Sequence, residues 1–192
     1  MLKLIITPAM NTSSPDNIVS QMNVIVKANE KDVQLLAEIG KRTFIESHGN
    51  SASAEDINSY VDLTYTNDVF KKELSDPKNI YHIIYHDDKA AGYSKIILNN
   101  PGLHVSIQNI TKLERLYVLR EFYGSGCGAE LFTFNVELSR QNGQSGMWLF
   151  AWKENERAVK FYKKNGFNII GSYDYKISET HSNPNHQMLL EY

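Results

Sequence analysis

The chain has 192 residues, 42% of them hydrophobic, enough for one domain with a real buried core. Twenty Lys and Arg against 22 Asp and Glu leave a formal net charge of −2, which argues against a general nucleic-acid binder. A single cysteine, Cys127, excludes an internal disulfide and fits a reducing, cytoplasmic compartment; no apolar run approaches the length of a membrane span, and the six histidines are too scattered to suggest a metal site.

In chain order, residues 1–21 read as an N-terminal extension, polar after the apolar piece Leu2 to Ile6 and interrupted by Pro8 and Pro15. That apolar piece is too short for a signal peptide. The domain, residues 22–192, opens with a strand at 22–27. A helix at 30–48 follows, with Val33, Leu35, Leu36, Ile39 and Phe44 forming much of one face. Two shorter helices, 53–63 and 67–74, end before Pro77. Strands at 79–85 and 90–98 are joined by the polar turn His86-Asp87-Asp88-Lys89. The central strand is read at 113–119, and a helix at 126–141 stops near Gly143. A strand at 147–152 leads to a helix at 156–164, closed by Asn165-Gly166. Strands at 167–177 and 187–192 complete the chain. The class is α/β without repeats, and hairpins at both ends imply a mixed, mostly antiparallel central sheet flanked by helices.

Two stretches carry chemistry. The first, Leu116 to Ala129, reads LYVLREFYGSGCGA. An apolar strand runs into a loop with Gly124, Gly126 and Gly128 on alternate positions, and a helix begins at once. Strand, glycine loop and helix N-terminus together present several backbone N–H groups to one anion. Missing Cβ atoms let a phosphate approach the backbone. No lysine follows Gly128, so this is not the nucleotide P-loop, and G-x-G-x-G is not the dinucleotide fingerprint. A tight turn without a ligand is the competing reading. Cys127 reads as a small apolar residue packed under the loop rather than as a nucleophile, since no histidine is close in sequence.

The second stretch, Asn155 to Phe167, reads NERAVKFYKKNGF. Asn155 and Tyr162 are two helical turns apart and share a face with Ala158 and Val159. That face suits a thin, extended, amide-containing ligand whose reactive end stops at Tyr162. The plain alternative makes Asn155 a helix cap and Tyr162 a half-buried aromatic.

Together the two stretches resemble the GNAT superfamily of acyl-CoA-dependent N-acetyltransferases. Tyr123 to Gly128 lies over that family's [Q/R]-x-x-G-x-[G/A] loop. Asn155, Ala158, Phe161, Tyr162, Gly166 and Phe167 match its later N-x-x-A-x-x-[F/L]-Y-x-x-x-G-F helix. LERLYVLREFYGSGCG, WLFAWKENERAVKFYKKNGF and HQMLLEY look most like bacterial spermidine/spermine N-acetyltransferases, with Trp152 heading the W-x-x-N-x-x-A pattern. The chain departs from the family at Tyr123, where Arg or Gln is usual, and at Arg120, where proline is usual and a compensating charge becomes available.

The resemblance implies acetyl-CoA as co-substrate, entering where the sheet splays between the central strand and the next one. It places the pantetheine arm and the tetrahedral oxyanion on backbone groups around Leu116, Tyr117 and Val118. The pyrophosphate falls on Tyr123, Gly124, Ser125, Gly126, Cys127, Gly128 and Ala129, with Asn155 and Ala158 along the arm. The implied acceptor is a primary amine, in the nearest group a polyamine such as spermidine. An ammonium with pKa near 10.4 costs roughly 4–5 kcal/mol to deprotonate at pH 7. Glu114 is the candidate carboxylate that takes its proton through water, with Tyr117 and Tyr175 as groups that orient the water. A strand residue paired with Lys112 or Arg115 is the equal alternative. Alternation places Glu114, Leu116 and Val118 on one face, Arg115 and Tyr117 on the other. Tyr162 is the candidate acid for the leaving thiolate, uphill by about 1.5 units or roughly 2 kcal/mol.

Carboxylates to hold a polyamine are available at Glu46, Glu55, Asp56 and Asp62, although charges of this kind commonly just face solvent. Acetylation of a peptide N-terminus or lysine is a second option. Two other classes are an acyl-CoA-binding protein without transfer, and an interaction domain using residues 1–21 with exposed Tyr60, Tyr65 and Tyr123. A small-molecule amine partner, no nucleic acid, no membrane and no metal are expected, and a homodimer is compatible with the sequence.

Overall fold

A computed structural model of the chain describes residues 22–192; the N-terminal extension read at 1–21 lies outside the described residues. The chain begins with β1 (Asn23–Lys27). A 3-10 turn (Glu30–Asp32) leads into α1 (Val33–His48), followed by α2 (Ala54–Thr64) and α3 (Asn67–Ser75). Next come β2 (Asn79–His86), β3 (Lys89–Ile97), β4 (Ile110–Val118), a second 3-10 turn (Arg120–Phe122) and α4 (Cys127–Gln141). β5 (Gly146–Trp152), α5 (Glu156–Lys164), β6 (Asn168–Lys176) and β7 (Ser182–Glu191) finish the domain.

Local chemistry accounts for where the helices start. Asn29 and Asp32 form a capping box at the entry to α1, Ser53 caps α2 and Thr66 caps α3. The sheet order is β1-β2-β3-β4-β5-β7-β6, antiparallel except between β4 and β5. This is the expected mostly antiparallel sheet. Leu36, Ile39, Phe44, Ile57 and Phe70 of α1–α3 pack on one face with Tyr81, Ile83 and Tyr93. On the other face, α4 and α5 contribute Leu131, Phe132, Val159 and Tyr162.

Two strand starts differ from the sequence reading by more than one residue. β4 starts at Ile110 rather than 113, because Ile110–Lys112 make the parallel pairing with Gly146–Trp148. Polar Thr111 and Lys112 hid that pairing. The Thr111 hydroxyl meets Ser139 Oγ at 2.6 Å, and the Lys112 ammonium lies over Trp148, so neither needed to look apolar to be covered. β7 starts at Ser182 rather than 187 and runs through Pro184, opposite Asp174 of β6.

The parallel pairing of β4 with β5 lasts three residues only. Beyond Lys112 and Trp148 the two strands part, leaving the β5-facing edge of Leu113–Val118 unpaired. The splay anticipated beside the central strand is this gap.

Candidate active site

The loop that follows β4 is shaped by its glycines. Gly124 and Gly126 both take φ of +86°, a left-handed conformation that favours glycine, and a Cβ on either would meet no protein atom within 4 Å. The reason for glycine here is therefore backbone conformation and open space toward a ligand. Gly128 has ordinary φ, and a Cβ there would sit 3.7 Å from Val118 Cγ2, a normal contact. Gly126 is the N-cap of α4 and offers no side-chain acceptor. The N–H groups of Gly124, Gly126, Gly128 and Ala129 have no acceptor among the described residues. Four donors without a partner at a helix N-terminus are the arrangement that suits an anion.

The other loop residues turn inward. Ser125 Oγ donates to the Phe122 carbonyl at 2.7 Å and lies 3.1 Å from Cys127 Sγ. Cys127 is fully buried with Ile84, Ala91 and Leu131, and burial pushes its thiol above the usual range. As the sequence suggested, it packs beneath the loop.

A groove runs from this loop along β4 to α5. Leu116 and Val118 form one wall, Ala158, Phe161 and Tyr162 the other, and Tyr123 with Arg157 stands at the mouth. Asn155 is the helix cap, its side-chain oxygen accepting from Ala158 N–H at 3.1 Å. Arg120 turns away: its guanidinium donates to the Glu46 carbonyl and its N–H to the Glu46 carboxylate, both at 2.7 Å, so it brings no charge to the loop. Arg157 of α5 stands beside the loop's first residue instead. Its guanidinium stacks on the Tyr123 ring, 3.2 Å from the centroid, at the position where Arg or Gln was expected.

Through the β4–β5 gap the groove meets a second cleft. Phe44 and His48 of α1, Tyr60 of α2, Tyr117 of β4, Phe150 and Trp152 of β5 and Tyr175 of β6 line it. Tyr162 borders both spaces. Its ring is wedged among Phe132, Phe161 and Phe167, and its hydroxyl has no partner among the described residues. Burial pushes that phenol above its usual pKa.

Residues 46–167 match the model of the acetyltransferase (GNAT) family. The chain belongs to that family. An uncharacterized N-acetyltransferase of Lactobacillus delbrueckii subsp. lactis is 28% identical over 155 residues, covering 81% of this chain and 90% of that protein. Among solved structures, the PaiA N-acetyltransferase of Thermoplasma acidophilum in complex with coenzyme A superposes with a TM-score of 0.71 at 21% identity, covering 88% of this chain and 99% of that one. An Arabidopsis thaliana protein bound to the bisubstrate analogue CoA-Ac-MVNAL superposes at 0.61 and 17%, covering 88% and 99%.

In this GNAT domain the cleft face of β4 differs from the alternation reading. β3 and β4 shift register between Lys95–Arg115 and Ile96–Leu113, so Glu114 is an extra, unpaired residue, a bulge. The bulge moves Glu114 off the Leu116–Val118 face. It lies beside Lys112, 2.5 Å from that ammonium, on the face of Trp148 and Phe150. The paired alternative for Glu114 is thus observed, with Lys112 and not Arg115. Arg115 instead joins a buried cluster: it is 3.0 Å from Glu73 and 2.6 Å from the Tyr81 hydroxyl, while Lys95 lies 3.1 Å from Glu73. Burial alone would raise Glu73, but Arg115, the Tyr81 hydroxyl and Lys95 outweigh it and hold the carboxyl low.

None of the four carboxylates read as polyamine ligands lines the cleft. Glu46 binds the Arg120 N–H, Asp62 pairs with Lys41, Asp56 caps back onto Ser53, and Glu55 faces solvent. Tyr60 and Tyr65 are not exposed either. Tyr65 is 6% accessible, and Tyr60 bonds Tyr175 hydroxyl to hydroxyl at 3.0 Å across the cleft. Only Tyr123 of that trio is exposed.

Sequence reasoning missed His48 and Arg157. His48 follows Phe44 by four residues on the same helix face, and their rings stack at 4.8 Å, so the spacing was the available signal. Arg157 lay inside the quoted motif, but its pairing with Tyr123 is visible only once α5 and the loop are brought together. Among the described residues no cluster of His, Cys, Asp or Glu forms a metal site, and no helix is long and apolar enough to cross a membrane.

Proposed function

We propose that the protein transfers an acetyl group from acetyl-CoA to a primary amine by direct attack. One observation carries this: the unpartnered Tyr162 hydroxyl stands where a glycine-loop groove and an aromatic cleft meet through the gap in the sheet. The donor groove supports the pyrophosphate on the N–H groups of Gly124, Gly126, Gly128 and Ala129. Arg157 supplies the charge that Tyr123 does not. The pantetheine arm runs along Leu116–Val118, whose backbone N–H groups face the oxyanion. The turned-in side chains of Ser125 and Cys127 hold the loop's shape, and Asn155 and Ala158 form the wall beside the arm.

Tyr162 serves the leaving thiolate. Because burial raises its pKa, the roughly 2 kcal/mol hurdle expected from ordinary values grows. This favours a hydrogen bond that stabilises the departing sulfur over complete proton transfer. Glu114, next to Lys112, takes the ammonium proton through water as the amine enters. The Tyr60–Tyr175 hydroxyl pair and Tyr117 border that water's path.

Among the described residues the cleft offers aromatic faces and a single carboxylate that is already ion-paired, not a row of acids. That favours an acceptor with one amine beside an apolar or peptide-like body, such as a peptide N-terminus. The polyamine reading keeps the support of cation–π contacts with the same rings. Isothermal titration with acetyl-CoA, followed by thiol release on spermidine, an aminoglycoside and peptides with free N-termini, tests this. Turnover with a peptide but not spermidine supports the single-amine reading. Binding without turnover on any amine refutes transfer.

A further inference from the structure

The last residue of α1, His48, is held against the acceptor cleft by a directed chain of hydrogen bonds. The Ser47 hydroxyl donates its one proton to the Thr43 carbonyl at 2.7 Å. The same oxygen lies 2.7 Å from His48 Nδ1, so it accepts there, and the network assigns the ring proton to Nδ1. Nε2 is left with its lone pair. It has no partner among the described residues, and it is not one of the buried polar atoms sealed from solvent. The ring orientation is fixed as well. It stacks on Phe44 at 4.8 Å with an 11° interplanar angle, faces Trp152 at 5.6 Å and meets Tyr117 edge-on at 6.1 Å. A helix-terminal histidine with this much packing and one unsatisfied lone pair on a cleft is built to accept one hydrogen bond from whatever enters.

We propose that His48 Nε2 takes the proton that the acceptor nitrogen sheds as it bonds to the acetyl carbon. This rests on the transferase reading above. The neutral amine attacks the thioester carbonyl, forming C–N and placing a positive charge on nitrogen. The N–H bond then breaks as Nε2–H forms, and the C–S bond breaks with its electron pair leaving on sulfur. The thiolate, hydrogen-bonded by the Tyr162 hydroxyl, takes its proton from solvent, and the imidazolium returns its proton to solvent. The net change is one proton moved from nitrogen to sulfur.

Burial lowers His48 to about 4, so the imidazole is neutral at pH 7 and surrenders a captured proton readily. A weak base suffices at this stage, because the nitrogen becomes strongly acidic once it carries charge beside the new C–N bond. The titratable groups sharing the cleft are Lys112, Glu114, Arg115 and Tyr117 from β4, Tyr60 from α2 with Tyr65 at its end, Tyr175 from β6 and Tyr162 from α5, with Tyr123 and Arg157 at its mouth. Lys112 offsets Glu114, and Arg115 is turned to Glu73, so no uncompensated charge from the strand opposes a transient imidazolium.

The test is steady-state kinetics of the full chain with acetyl-CoA and the best amine of the panel above. His48→Phe keeps an aromatic ring between Phe44 and Trp152 and removes both the Nε2 lone pair and the Nδ1 hydrogen bond to Ser47. It is expected to lower kcat about a hundredfold, the range for loss of a positioned base, with acetyl-CoA affinity and amine KM little changed. Ser47→Ala frees the tautomer and lowers kcat less. Should His48→Phe fold poorly, His48→Ala with added imidazole replaces it, and recovery of kcat is the expected result. Wild-type turnover with an undiminished His48→Phe overturns the His48 assignment alone. A wild-type protein that binds acetyl-CoA and acetylates no amine overturns the transferase reading, and this proposal with it.

Discussion

Arg157→Ala isolates the charge at the mouth of the glycine-loop groove, the proposed acetyl-CoA site. The guanidinium lies flat on Tyr123, 3.2 Å from the ring centroid, so it is preorganised rather than free to sample solvent. Both residues border the loop in which the N–H groups of Gly124, Gly126, Gly128 and Ala129 have no acceptor among the described residues. A hydrogen bond to a charged group contributes about 1.5–3 kcal/mol net, and exposure and salt reduce this toward about 1–2 kcal/mol here. The expected loss is therefore about five- to thirtyfold in acetyl-CoA affinity. Isothermal titration at two salt concentrations reads it. The wild type should weaken more steeply with salt than the variant, since the removed interaction is the screened one. Tyr123→Ala should lower affinity in the same direction by releasing the arginine. An unchanged dissociation constant in Arg157→Ala would refute the argument that α5 replaces the missing loop cation.

Tyr162→Phe leaves the aromatic packing intact and should retain acetyl-CoA affinity while lowering kcat about a hundredfold; unchanged turnover removes Tyr162 from the mechanism. Gly126→Ala forces a side chain into φ of +86°, costing about 1–2 kcal/mol, and points a methyl into the anion site, so both stability and affinity should fall in parallel titrations. Glu73→Gln strips the counter-charge from buried Arg115 and Lys95 and should cost about 3 kcal/mol or more by urea unfolding, while an undiminished midpoint would show that the cluster is dispensable. Stability should also fall as pH drops from about 6.5 toward 4: burial lowers His82 to about 4, so the unfolded chain takes up the proton first, worth about 3 kcal/mol over the full window. His82→Phe should flatten that slope.

Much of this fold was readable because its elements are locally consistent. The helix over 156–164 has a cap at Asn155 and a stop at Gly166, and the structure uses both. The glycine loop was readable because left-handed backbone leaves a direct mark on sequence. What escaped was set by partners distant in the chain. Ile110–Lys112 count as strand only because Gly146–Trp148 lie beside them. Asp62 and Glu46 looked available for a ligand until Lys41 and Arg120 were brought to them by folding. His48 was one histidine among six until Phe44 and Trp152 closed on its ring.

The bulge at Glu114 ties these observations together. With strict alternation, β4 would send Glu114 toward Leu116, Val118 and α4, into the apolar core beneath the glycine loop. A lone carboxylate there would be costly to bury. One unpaired residue lets Leu116 and Val118 face the glycine-loop groove while Lys112, Glu114, Arg115 and Tyr117 all line the aromatic cleft. The same strand thus serves an apolar, backbone-lined channel on one side and a charged, aromatic chamber on the other. The splay from β5 connects the two beside Tyr162. Removing the extra residue would not simply delete a carboxylate. It would reverse the facing of one half of the strand relative to the other, so that the lining of the glycine-loop groove and of the aromatic cleft would change together.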